Sequence, residues 1–84
     1  MKKLICAIRD SKVEAFMTPM FFRSKGEAIR SFHDAVNDSN MEFKKHAEDF
    51  VMFVLGEYDE QLGQIDACVA EPLIKAIDLV KEDE

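Results

Sequence analysis

The sequence predicts a small two-layer α+β domain: an antiparallel sheet from two hairpins with two helices, in the order strand, strand, helix, strand, strand, helix (ββαββα). Three observations carry this expectation. Ser24 to Asp38 places apolar residues at helical spacing. Lys3–Arg9 and Phe50–Leu55 are apolar in both phases of strand alternation. And 84 residues give room for one domain and one core, because a chain this short buries only about 60% of its unfolded surface. Residues 1–84 are therefore read as a single domain, with the last few residues frayed.

In the first strand, Leu4, Cys6 and Ile8 alternate with Ile5 and Ala7, so both faces call for cover. Asp10-Ser11-Lys12 offers a turn. Val13, Ala15 and Met17 then point one way and Glu14 and Phe16 the other, as in a half-exposed hairpin partner. Thr18-Pro19 ends that ladder, since proline has no amide to donate. Met20-Phe21-Phe22 leads into a helix whose N-cap is Ser24, with Glu27 three residues on to complete a capping box. Ala28, Ile29, Phe32, Ala35 and Val36 fill one arc of that helix, and Glu27, Arg30, Asp34 and Asn37 lie outside it. Asn37-Asp38-Ser39-Asn40 stops it, because short polar side chains compete for backbone hydrogen bonds.

Met41 to Asp49 is charged and weakly patterned, a loop or a short helical turn. Phe50–Leu55 is the best candidate for a central strand, and Gly56-Glu57-Tyr58-Asp59 carries it outward. Asp59 to Gly63 reads as a hairpin loop, with Gly63 at the position that needs positive φ. Gln64 to Ala70 returns. Pro72 suits the first position of a second helix, whose apolar arc of Leu73, Ile74, Ala76, Ile77, Leu79 and Val80 is unusually wide. Glu82-Asp83-Glu84 opposes the helix dipole, so the last turn should fray. Two strands asking for burial on both faces exceed what two helices on one face can cover. A homodimer would supply the missing layer; so would a strand order that lays Phe16, Phe21 and Phe22 across the bare side.

Net charge is −6, which argues against a generic nucleic-acid-coating protein, yet the charge is unevenly distributed. Up to Ala47 there are 9 basic and 6 acidic residues; beyond it, 2 basic and 11 acidic. Such polarity concerns partners and association rather than fold. The longest strictly apolar run, Phe50 to Leu55, is far short of a membrane span. Lys2-Lys3 precedes too short an apolar stretch for a signal peptide, so a cytoplasmic protein is expected. Cys6 and Cys68 sit in apolar stretches with no CxxC and no spaced histidine, and read as two reduced, buried thiols.

Enzyme readings find no support. His33 lies at the margin of the helix arc and His46 in a charged loop, neither with a nucleophile or carboxylate at a recognisable spacing. Glu57, Asp59 and Glu60 lack the ligand spacing of a calcium loop, and no glycine-rich phosphate loop is present. No catalytic residue, metal site or cofactor is expected. Arg9, Lys12, Arg23, Lys25, Arg30, Lys44 and Lys45 interleave with Phe16, Phe21 and Phe22. Basic groups tracking a backbone, with aromatics to stack bases, are the recipe for single-stranded nucleic acid. The plainer alternative keeps the phenylalanines in the core and the lysines in solvent.

Several runs of the chain resemble, in order and spacing, one family. They are Ile8-Arg9-Asp10-Ser11-Lys12, Thr18-Pro19-Met20-Phe21-Phe22, Gly26-Glu27-Ala28-Ile29-Arg30-Ser31-Phe32 and Asp34-Ala35-Val36-Asn37-Asp38. His46-Ala47-Glu48-Asp49-Phe50, Gly56-Glu57-Tyr58-Asp59 with Gly63, and Pro72 followed by Lys75-Ala76-Ile77-Asp78-Leu79-Val80 complete the set. The family is the small nonstructural protein of gokushovirus-type microviruses, bacteriophages with single-stranded DNA genomes. Ala47 stands where that pattern has proline. The resemblance implies a DNA-binding protein of viral DNA replication in the host cytoplasm, acting in the switch from duplex replication to single-strand synthesis and packaging. The expected DNA contacts are Arg9, Lys12, Phe21, Phe22, Arg23, Lys25, Arg30, Lys44 and Lys45, with single strands favoured and Arg23, Lys25 and Arg30 foremost. The rival is an adaptor that contacts a replication or capsid protein and no DNA; the acidic hairpin and the wide last arc suit it.

Overall fold

A computed structural model describes residues 1–81; the fraying expected of the last three residues lies outside them. The chain forms a curled antiparallel sheet with one helix on one face. Strand β1 (Lys2–Asp10) is paired along its whole length with β4 (Phe50–Asp59), and β4 in turn with β5 (Gln64–Lys75). The other edge of β1 is shared by two short strands, β2 (Ala15–Phe16) and β3 (Met20–Phe22). Helix α1 (Lys25–Val36) follows.

The expected helix is there, with half of the expected cap. Ser24 Oγ accepts from Glu27 N at 3.1 Å, but the Glu27 carboxylate reaches Arg23 N and Arg23 Nε, not the amide of Ser24. Ala28, Phe32 and Val36 are buried against Cys6, Ile8, Phe50, Met52 and Val54 of the sheet. The weakly patterned stretch after the helix contributes Phe43, whose ring stands edge-on to Phe32 and Phe50. It ends in a 3₁₀ turn, Ala47–Asp49, at the place where the family resemblance expects proline.

The second helix expected from Pro72 is not formed. Pro72 to Lys75 continue β5, and Ala76–Leu79 make a 3₁₀ turn. Proline is tolerated because β5 is an edge strand, where a missing amide breaks no ladder on its outer side. A register shift between Met52 and Phe53 of β4, opposite Ile74 and Pro72, lets consecutive Leu73 and Ile74 both pack on the core. The wide apolar arc is therefore a bulged strand followed by a tight turn, not one helical face. Asn37, past the end of α1, ties this segment down. Its Nδ2 donates to His33 O and Leu79 O, and its Oδ1 accepts from Lys81 N.

The second strand is shorter than expected, with residues 11–14 in the turn and Glu14 at φ 60°. Met20-Phe21-Phe22, read as a lead-in, is a strand of its own. The hairpin loop forms as expected, with Gly63 at φ 64°. Cys6 is buried, and burial raises its thiol pKa; Cys68, expected inside, is exposed because that half of β5 has no layer over it.

Candidate nucleic-acid face

Cross-strand partners in an antiparallel sheet share a face, so the register sorts every strand residue. Leu4, Cys6 and Ile8 of β1 pair with Glu57, Val54 and Met52 of β4 and look toward α1. Lys3, Ile5, Ala7 and Arg9 look the other way, with Tyr58, Gly56, Phe53 and Val51 beside them. On the same side β3 adds Phe21 opposite Ile5, and β2 adds Phe16 opposite Arg9. From β5 come Ile65, Ala67, Pro72 and Lys75. Among the described residues no helix covers this second face.

Two ring pairs stand on it. Phe16 meets Phe53 edge-on at 5.4 Å between centroids, and Phe21 meets Tyr58 at 5.6 Å. Ile5 and Ala7 are buried at its floor, whereas Phe16 and Phe21 keep 43% and 49% of their surface in solvent. The ring pairs adjoin Arg9 and Ile5, four residues apart on β1 and so about 13 Å at strand rise. The charges are sorted as sharply as the rings. Asp10, Glu57, Asp59, Asp66 and Glu71 all fall in the helix-side phase, with Lys2 opposite Asp59, while the charged residues in the open-face phase are Lys3, Arg9 and Lys75. Lys3 has a carboxylate near it, Glu60 Oε2 at 3.7 Å from the hairpin turn.

The nine residues expected to meet DNA are not brought together. Arg9 and Phe21 share the open face, and Lys12 lies in the turn just past β1. Phe22 must be corrected: opposite Leu4 it turns inward and is a core residue, with no face free to stack. Lys25 and Arg30 are exposed on α1, on the opposite side of the sheet. Arg23 Nε is 2.8 Å from Glu27 Oε2, and this pairing holds the Glu27 carboxyl below its ordinary pKa. Lys44 and Lys45 lie in the loop after α1. Phe53, Tyr58, Lys3 and Lys75 escape the sequence reading. The first three are readable as one phase of their strands, but the bulge between Val54 and Gly56 reverses the phase within β4, and Lys75 stands in an expected helix.

Among the described residues no cluster of His, Cys, Asp or Glu is placed to hold a metal ion, and no helix is long and apolar enough to cross a membrane. No curated protein and no solved structure matches the chain. A family model described as Phage ORF5 protein matches residues 3–79. That span takes in the helix, the open face and all of the strands but Lys2, and the chain belongs to the Phage ORF5 protein family.

Proposed function

We propose that this phage protein is a non-enzymatic DNA-binding protein that takes up single strands on the open face of its sheet. The observation that carries the reading is the sorting of charge. In a chain of net charge −6, the face without a covering helix among the described residues has only basic charges in its strand phase, set among four aromatic rings. Arg9 and Lys75 would hold phosphates from the two sides of Val51, with which both are in register. The half-exposed rings of Phe16 and Phe21 would each take an unpaired base, an interaction that tolerates any sequence. A duplex offers no unstacked base to such a platform, which is why single strands are favoured.

Together with the gokushovirus-type resemblance, this supports a role in viral DNA replication in the host cytoplasm, at the passage from duplex replication to single-strand synthesis and packaging. The adaptor reading keeps one observation of its own, the acidic β4–β5 hairpin with exposed Leu62 and Val69, a surface for protein and not for DNA.

Titration of labelled single- and double-stranded DNA at two salt concentrations tests the proposal. Binding should be weak, prefer single strands and fall steeply with salt; Arg9→Glu with Lys75→Glu should abolish it. Removing one phosphate-binding cation reduces the salt slope of log affinity by roughly 0.7 on single strands. Arg23→Glu, Lys25→Glu and Arg30→Glu together should leave binding in place. Abolished binding in that triple variant alone would move the site to the helix, and no binding by the parent at low salt would leave the adaptor reading.

A further inference from the structure

The open face has basic groups toward both ends of β1, and the two ends differ. At one end Arg9 and Lys75 flank Val51 in register, and among the described residues neither forms an ion pair with a carboxylate. At the other end Lys3, beside Tyr58, does: its Nζ lies 3.7 Å from Glu60 Oε2. Between the ends stand the Phe16–Phe53 and Phe21–Tyr58 ring pairs. Cation, ring pair, ring pair and cation thus follow one another along a single strand.

Glu60 is placed there by the backbone. Its amide donates to Met1 O at 3.2 Å, which ties the hairpin turn to the start of β1. Asp59 Oδ1 accepts from Gln61 N and Leu62 N at 3.0 and 3.2 Å, and Gly63 N donates to Asp59 O at 2.8 Å, so the turn itself is ordered. The pair with Lys3 is nonetheless weak. The two side chains keep 36% and 39% of their surface in water, and an exposed ion pair shifts an equilibrium by no more than about fivefold. A carboxylate so placed neither locks the fold nor excludes a phosphate; it competes with one.

We propose that a single strand of DNA lies along β1 from Arg9 and Lys75 to Lys3, and that Glu60 holds Lys3 until a phosphate displaces it. Lys3 is then a third phosphate contact, and Glu60 a built-in competitor that weakens the site. Lys3 and Arg9 are six residues apart on β1, about 20 Å at strand rise. A strand covers that distance in roughly six nucleotides at the about 3.4 Å spacing of stacked bases, and in fewer when drawn out. The open-face phase of the strands has no acidic residue, so the carboxylate that a phosphate meets at Lys3 is the one brought by the turn. This inference rests on the DNA reading of the open face and adds to it the extent of the site and the residue that restrains it.

Titration of the full chain into a labelled oligothymidylate of about twelve nucleotides, long enough to span both ends, at two salt concentrations tests this. Lys3→Gln should weaken binding and lower the salt slope of log affinity by roughly 0.7. Glu60→Gln should tighten binding by about two- to fivefold at the lower salt, and by less at the higher, where an exposed pair is screened. In the Lys3→Gln background the same change should bring no gain, because the cation it would release is gone. A gain that persists there means that Glu60 acts only through net charge, and overturns the proposal. So does Lys3→Gln with the parent's affinity and slope. Circular dichroism reports whether each variant is folded; if Lys3→Gln is not, Lys3→Met, which keeps the apolar stem, takes its place. A parent that binds through Arg9 and Lys75 but not through Lys3 leaves the DNA reading standing and overturns this inference alone; a parent that binds no DNA overturns both.

Discussion

The two faces of the sheet are built from the same strands and differ in almost everything else. On β1, Leu4, Cys6 and Ile8 meet the helix, while Lys3, Ile5, Ala7 and Arg9 form the open side. The helix side holds a continuous core of Phe32, Met52, Val36 and Cys6, all but sealed from water, and carries the acidic residues of the strands. The open side has a buried floor, a half-exposed set of rings and basic residues. The difference teaches that apolar content does not by itself mark a core. Phe21 and Phe22 are neighbours with the same side chain, yet one is a surface group and the other structural, because a strand turns successive residues to opposite sides.

The largest expected effect is on the helix side. Phe32→Ala should cost ~3–5 kcal/mol, the range for a buried aromatic, read as a large fall in the urea midpoint with little change in slope. A variant that melts within a few degrees of the parent would break the comparison, because the helix side would then not be what holds the fold.

Next comes one position where the open side is structural too. A Cβ at Gly56 would collide with the carbonyl oxygen of Asp66 and the Cα of Ala67 on β5. Gly56→Ala should therefore destabilise by ~1–3 kcal/mol, as overpacking does. The amides that pair β4 with β5 beyond it should exchange faster in hydrogen exchange. An unchanged melting temperature would mean that the two strands separate there at no cost.

Phe16→Ala and Phe21→Ala sharpen the contrast from the other side. Each should weaken single-stranded DNA binding by ~1–3 kcal/mol, the size of one base–aromatic stack. Each also removes one ring from an edge-on pair, so the melting temperature should fall only slightly. Variants that lose stability as Phe32→Ala does, with unchanged DNA affinity, would make the open side a second core.

The smallest effect concerns Glu27. Its carboxyl is lowered in pKa by the hydrogen bonds from the Arg23 side chain and amide. A depressed carboxylate adds stability that is present above its unfolded pKa and lost as pH falls through the lower folded value. Glu27→Gln should thus melt slightly below the parent at neutral pH, and the gap should close as pH drops below the ordinary carboxylate range. A constant gap at all pH values would show that the charge of Glu27 is irrelevant to the cap.

What the sequence determined by itself was local. Ser24 and the spacing of Ala28, Phe32 and Val36 mark the helix, since cap chemistry and a 3.6-residue period act within a few turns. Gly63 marks its turn for the same kind of reason, and the two-phase apolar runs mark β1 and β4. Only the tertiary structure decided the rest. Leu73, Ile74, Ala76 and Leu79 fit a helical arc as well as a bulged strand and a 3₁₀ turn, and the long edge of β4 selected the strand. The open face was hidden for a related reason. Its residues come from five strands, and the bulges in β4 and β5 shift their phase. Which side chains share a side is then fixed by register between distant segments, and no single stretch of chain contains that information.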